Sequence, residues 1–132
     1  EKMSKSKGNL INIFQSDKKL RKQLMGIRSD STPMEAPKNP DTDTTFALYK
    51  ILASEAQTAE MRANYRAGHF GYGHAKQALY EVVLEKFGGF REKFEYYMNH
   101  LNEVDDALTL GAEKAKKVAD QVLERVRSKV GY

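Results

Sequence analysis

The densest chemistry in the chain lies in its first nine residues, where Lys2-Met3-Ser4-Lys5-Ser6 is followed by Gly8 and Asn9. Two lysines three positions apart, interleaved with hydroxyls and small residues, suit a loop that wraps a triphosphate. Lysine supplies a compact charge, serine supplies donors, and the backbone N–H groups of a tight loop complete an anion nest. The charge distribution points the same way. Residues 1–28 hold eight basic groups (Lys2, Lys5, Lys7, Lys18, Lys19, Arg21, Lys22, Arg28) against Glu1 and Asp17, so this first fifth carries more than the whole net charge of +4. Such clustering suits a polyanionic partner, either nucleotide phosphates or nucleic acid. Composition alone leaves a second reading open, that of a solvated basic tail.

Other chemistry-bearing residues read as structural. His69, His74 and His100 lack acidic partners at ligand spacing, so no metal site is expected. Phe87, Phe90, Phe94 and Tyr97 recur at helical spacing and read as core. Glu103, Asp105 and Asp106 suit the positive end of a helix dipole better than an acid/base pair. There is no cysteine, which excludes disulfides and thiolate metal sites and fits a reducing compartment. No apolar run approaches the roughly 18 residues that span a bilayer, and a cytoplasmic setting is expected. The chain opens on Glu1 rather than Met, as a processed or excised piece would.

The elements that must position the leader are helical. With 132 residues the chain is of single-domain size and buries roughly two thirds of its extended surface. Leu20, Leu24 and Ile27 predict a first helix from Asp17 to Arg28. Residues 29–44 hold Pro33, Pro37 and Pro40 among short polar residues and read as loop. A second helix starts near Asp43 and carries Phe46, Leu48, Ile51 and Leu52. Ser54 with Gln57 forms a capping box for a third, which continues through Met61 and Tyr65 and stops at Gly68. The run 68–73, Gly-His-Phe-Gly-Tyr-Gly, reads as a break. A long fourth helix follows from about His74 with Ala75, Leu79, Val82 and Val83 inward, and Gly88-Gly89 either bends or divides it. Asn102 is the expected cap of a last segment striped by Val104, Leu108, Ala115, Val118, Val122, Val126 and Val130, with Gly111 as a point of division. Only residues 10–14 read as extended, too few for a sheet. The expected fold class is all-α: a bundle of five or six helices with an irregular basic N-terminal leader, divided as residues 1–15 and 16–132.

The pentapeptide Lys2–Ser6 matches, letter for letter, the KMSKS signature of class I aminoacyl-tRNA synthetases. Ser29-Asp30-Ser31 after a basic helix resembles the junction shared by the tryptophanyl and tyrosyl enzymes. Pro37-Lys38-Asn39-Pro40-Asp41, Phe46-Ala47-Leu48-Tyr49-Lys50, Gly71-Tyr72-Gly73 with Lys76, and Gly111-Ala112-Glu113-Lys114-Ala115 follow in the order seen in bacterial tryptophanyl-tRNA synthetases. The resemblance covers essentially the whole chain, as a C-terminal part of that family. Tyrosyl-tRNA synthetase also shares the signature, but the Gly71-Tyr72-Gly73…Lys76 run favours the tryptophanyl family.

The resemblance implies a parent enzyme that activates tryptophan with ATP and transfers it to tRNA(Trp). Lys2, Met3, Ser4, Lys5 and Ser6 would form its ATP-binding loop, with Lys2 and Lys5 catalytic and Mg²⁺ carried mainly by the phosphates. The helical residues 16–132 would be its anticodon-binding domain, and Arg62, Arg66, Tyr72 and Lys76 around the glycine-rich break are the candidate tRNA contacts. Each also reads simply as a solvated helix residue. The parent is expected to be a homodimer and this chain a monomer that is inactive by itself and holds no cofactor. The family's second ATP signature, His-x-Gly-His, belongs to a Rossmann-type domain ahead of the loop; His69-Phe70-Gly71-Tyr72 only mimics it, and no βαβ pattern is present. The competing class is a helical RNA-binding module without catalysis.

Overall fold

The computed structural model describes residues 4–131, with Lys5 described by its backbone alone. Among them are five α-helices and no strand: α1 Asp17–Met25, α2 Thr44–Leu52, α3 Glu55–Ala67, α4 Tyr72–Asn99 and α5 Leu101–Val130. Two short 3-10 turns, Lys5–Lys7 and Pro40–Thr42, complete the regular structure. The all-α expectation is met. The chain divides within α4 into two compact units, Glu1–Arg91 and Glu92–Tyr132.

The first unit holds the core. Leu20 and Leu24 of α1, Phe46 and Tyr49 of α2, Met61 and Tyr65 of α3, and Ala75, Leu79, Val82 and Val83 of α4 are all buried. Burial of a Leu- or Phe-sized side chain contributes about 1.5–3 kcal/mol, so these four stripes hold the unit together. Local sequence sets the ends. Asp43 caps α2, its Oδ1 accepting the Phe46 N–H at 2.8 Å. Ser54 and Gln57 form the reciprocal capping box of α3, at 3.3 and 2.8 Å. Gly68 ends α3 at φ 78°, and a Cβ there would stand 2.4 Å from the Glu35 carbonyl oxygen, so this stop requires glycine.

The segment between α1 and α2 is irregular but fastened. Lys38 is almost fully buried, and its ammonium donates to the carbonyls of Pro33, Met34 and Ala36 at 2.7, 3.1 and 3.0 Å. All three ammonium donors are thereby used. Its backbone N–H reaches the Tyr65 carbonyl at 2.7 Å, and its Nζ lies 5.5 Å from the centre of the Tyr72 ring. Buried Asp43 also accepts the Tyr65 hydroxyl at 2.8 Å, on the oxygen that caps α2.

Several boundaries differ from the sequence reading. α1 stops at Met25, and α4 begins at Tyr72 and runs unbroken through Gly88-Gly89. Each glycine weakens a helix by about 1 kcal/mol against alanine, which the flanking turns absorb. Residues 10–14 form no strand. Of the aromatic stripe only Phe87 packs against the core; Phe90, Phe94 and Tyr97 are exposed. Their spacing fixes a common face but not a covering for it.

In the second unit, His100 rather than Asn102 precedes α5, without a side-chain cap. Its ring stacks on Tyr96 with centroids 4.0 Å apart, and the Tyr96 hydroxyl donates to Glu103 at 2.7 Å. α5 is continuous through Gly111, and none of its residues is buried. Leu108, Val118, Val122, Val126 and Val130 are all exposed.

The Asp43 joint predicts an order of stabilities under urea denaturation. Tyr65→Phe removes one bond and should cost about 1–2 kcal/mol. Asp43→Ala removes the α2 cap and also strands a buried hydroxyl, and should cost about 2–4 kcal/mol. Equal or reversed costs would mean that Asp43 is not the shared anchor.

Candidate functional site

The leader closes on itself before it meets the helices. The Ser4 N–H donates to Asn9 Oδ1 at 2.8 Å, Lys7 N–H reaches the Ser4 carbonyl at 3.3 Å, and Gly8 turns the chain at φ 64°. The hydroxyls of Ser4 and Ser6 lie 3.3 Å apart. The structure thus brings Ser4 and Ser6 together on one small turn. Lys2 and Met3 lie outside the described residues, as does the side chain of Lys5.

After this turn the chain is pinned to the helical unit. Ile11 and Ile13 pack against the core. The Gln23 side chain of α1 donates to the Leu10 carbonyl and accepts from Gln15 at 2.6 Å. Arg91 of α4 donates to the carbonyls of Ile13 and Gln15, the latter at 3.1 Å, and pairs with Asp17. Neither Gln23 nor Arg91 stands out in the sequence. No local pattern marks a residue whose partner lies 13 or 78 positions away.

The four candidate tRNA contacts fall into two pairs. Arg62 and Arg66 share one face of α3, as their spacing requires. Arg62 donates to Asp41 at 2.7 Å and lies 4.9 Å from the Phe46 ring centre; Arg66 is 4.0 Å from the same carboxyl and more exposed. Tyr72 opens α4 with its hydroxyl donating to Asp30 at 2.7 Å and its ring against Tyr65. Lys76, half-buried, lies one turn further along α4. No bond joins the two pairs among the described residues. Asp30 and Asp41 are the partners that sequence reasoning passed over. The one available signal was their place in a polar, proline-rich loop, where short carboxyls take up turn and cap positions.

These contacts displace the ionisation of both partners. The bond from Arg62 holds Asp41 below its ordinary value of 3.8, and the Tyr72 hydroxyl does the same for Asp30. Burial, reinforced by the bond to Asp30, pushes Tyr72 up to about 12.

No family model matches the chain. A tryptophan–tRNA ligase of Rhodopirellula baltica is 46% identical over 131 residues, which are 99% of this chain and 41% of that protein. The ligase of Fusobacterium nucleatum is 41% identical over 99% of this chain and 40% of its own length. The crystal structure of Campylobacter jejuni tryptophanyl-tRNA synthetase complexed with ADP and tryptophan superposes with a TM-score of 0.94 and 37% identity. That match covers 99% of this chain and 41% of the other. The chain is therefore similar to part of the aminoacyl-tRNA synthetases that attach tryptophan. What it matches, over nearly its whole length, is a C-terminal part of the tryptophan–tRNA ligases. It spans about two fifths of the length of the curated relatives it matches. No helix among the described residues is long and apolar enough to cross a membrane.

The displaced ionisations give a pH prediction. Asp30 and Asp41 are lowered on folding, so their contribution is complete above pH 3.8 and is lost as pH falls through their lower folded values. Tyr72 is raised, so its contribution is complete below pH 10.0 and is lost as pH rises through about 12. Urea midpoints measured against pH should fall on both sides; Asp30→Asn should remove the Asp30 share of the acid limb and change the alkaline limb less, because burial still holds Tyr72 up. An unchanged profile in Asp30→Asn would discard the Asp30–Tyr72 pairing.

Proposed function

We propose that this chain forms part of an enzyme that activates tryptophan with ATP and transfers it to tRNA(Trp), supplying the phosphate loop and the anticodon-binding helices. The observation that carries the reading is 46% identity to a tryptophan–tRNA ligase across 99% of the chain, beginning with an intact Lys-Met-Ser-Lys-Ser run. Residues 1–15 then serve as loop and leader, and residues 16–132 as the helical domain.

In activation the tryptophan carboxylate attacks the α-phosphorus of ATP. The bond to the bridging oxygen breaks, and negative charge moves onto the departing pyrophosphate. Lys2 and Lys5 approach those phosphates, and Lys5 stabilises the charge that develops during departure. A donor placed where charge develops lowers the barrier by about 3 kcal/mol. Ser4 and Ser6 hold the turn and offer hydroxyls to phosphate oxygens, a role supported by their 3.3 Å approach. In this reading Mg²⁺ is carried mainly by the phosphate oxygens, which suit a hard cation.

The tRNA role rests on the exposed edges of Arg62, Arg66, Tyr72 and Lys76. Asp41 orients both arginines, and Phe46 backs Arg62, so a planar guanidinium is offered in a fixed pose. A fixed plane of that kind suits stacking against an unstacked base.

Two measurements on a full-length ligase carrying this chain test the reading. Lys5→Ala should lower the maximal rate of ATP–pyrophosphate exchange by about 100-fold with a smaller change in the Michaelis constant for ATP. A raised constant with an unchanged rate would remove Lys5 from the transition state. Arg66→Glu should weaken aminoacylation by at least roughly tenfold, in proportion to lost affinity for the anticodon, while leaving pyrophosphate exchange near normal. Equal loss in both assays would point to misfolding, and loss in neither would place the anticodon elsewhere.

A further inference from the structure

We infer that Arg91 is a positioning residue for the phosphate loop, fixing the strap of chain from which the loop extends. The inference rests on the reading of residues 2–6 as that loop.

The geometry is unusual for a residue so far along the chain. Arg91 sits on α4 with its side chain 13% exposed, and its guanidinium meets three acceptors: the Ile13 and Gln15 carbonyls of the leader and the carboxyl of Asp17, the first residue of α1. Two of these are backbone oxygens of an irregular segment with no ladder of its own. Such a segment holds one path only where side chains from elsewhere satisfy its polar groups. Gln23 does the same at the Leu10 carbonyl, and Ile11 and Ile13 supply the apolar contact. The strap is therefore fastened at several points from Leu10 to Asp17. The turn of residues 4–9, closed by the Ser4–Asn9 bond, follows directly upstream.

A loop that orders around phosphates in the transition state gains most when its base is already fixed, because less conformational freedom remains to be lost. Arginine suits the shape of the grip. One terminal nitrogen of its planar fork takes both carbonyls and the other takes the Asp17 carboxyl, a division between two nitrogens that the shorter-reaching single nitrogen of a lysine does not reproduce.

The test uses the full-length ligase carrying this chain, with Arg91→Lys, Arg91→Ala and Gln23→Ala. Three readouts are taken: pyrophosphate exchange, single-turnover transfer from preformed tryptophanyl-adenylate to tRNA, and the thermal midpoint. Arg91→Ala should lower the maximal exchange rate by about tenfold, with the Michaelis constant for ATP changed less than threefold. Arg91→Lys and Gln23→Ala should fall between it and the parent. Transfer from preformed adenylate should stay within about twofold, because pyrophosphate has already left. Exchange and transfer falling together with the thermal midpoint would overturn the inference and leave Arg91 a purely structural clasp. Exchange unchanged in all three variants would overturn it as well. Lys5→Ala runs alongside: if it lowers exchange while the Arg91 variants do not, only the positioning role fails. If Lys5→Ala has no effect, the loop reading itself fails.

Discussion

One oxygen of Asp43 joins the pieces on which the first unit depends. It caps α2 through the Phe46 N–H and receives the Tyr65 hydroxyl from α3. The bond fixes the polar end of Tyr65, while the ring packs edge-on to Phe46 with centroids 5.5 Å apart. The backbone carbonyl of Tyr65 also accepts the Lys38 N–H, so the loop between α1 and α2 is tied to the same residue. A buried polar group that lacks a partner costs more than the bond contributes when made, so this network tolerates no partial version. The two helices and the loop therefore assume their positions together, with the apolar stripes of α1 and α4 closing over them.

How far the sequence revealed this depends on the distance over which each signal acts. The Ser54–Gln57 box and the Asp43 cap operate within one helical turn, and both lie where residue type and spacing place them. The core stripes are also local in origin, since a 3.6-residue period declares its own inward face. Lys38 is different. A lysine in a proline-rich loop reads as solvent-facing, and only the folded path brings the carbonyls of Pro33, Met34 and Ala36 around its ammonium. Asp30 with Tyr72, and Arg91 with Ile13, link positions 42 and 78 apart, beyond any pattern a single sequence displays.

α5 marks the other limit of periodicity. Its stripe is as regular as those of the core helices, yet no residue on it is buried. Periodicity reports that one face is apolar, not what covers it. Within this chain the helix is sustained by composition: alanines, leucines, glutamates, lysines and arginines fill most of it, and Lys116 pairs with Asp120 one turn on. The N-terminal end of α5 depends on a stacked Tyr96–His100 pair and on Glu103, a device that a search for Ser, Asp or Asn caps overlooks.

The disposition of cations gives the candidate site its physical logic. Charged groups that must hold a place are paired: Arg62 with Asp41, Arg91 with Asp17 and two carbonyls, Lys38 with three. Each pairing limits rotation and aligns a side chain for one task. The lysines of α1, by contrast, are exposed along a helix whose other face is buried in the core. Their summed positive field extends well beyond contact distance, whereas each paired group acts only on the partner it touches. Because the leader is bound to the same core as the arginines, a shift of this unit would carry the base of the turn with it. A phosphate loop on such a mount would take its position from the helices rather than from its own five residues.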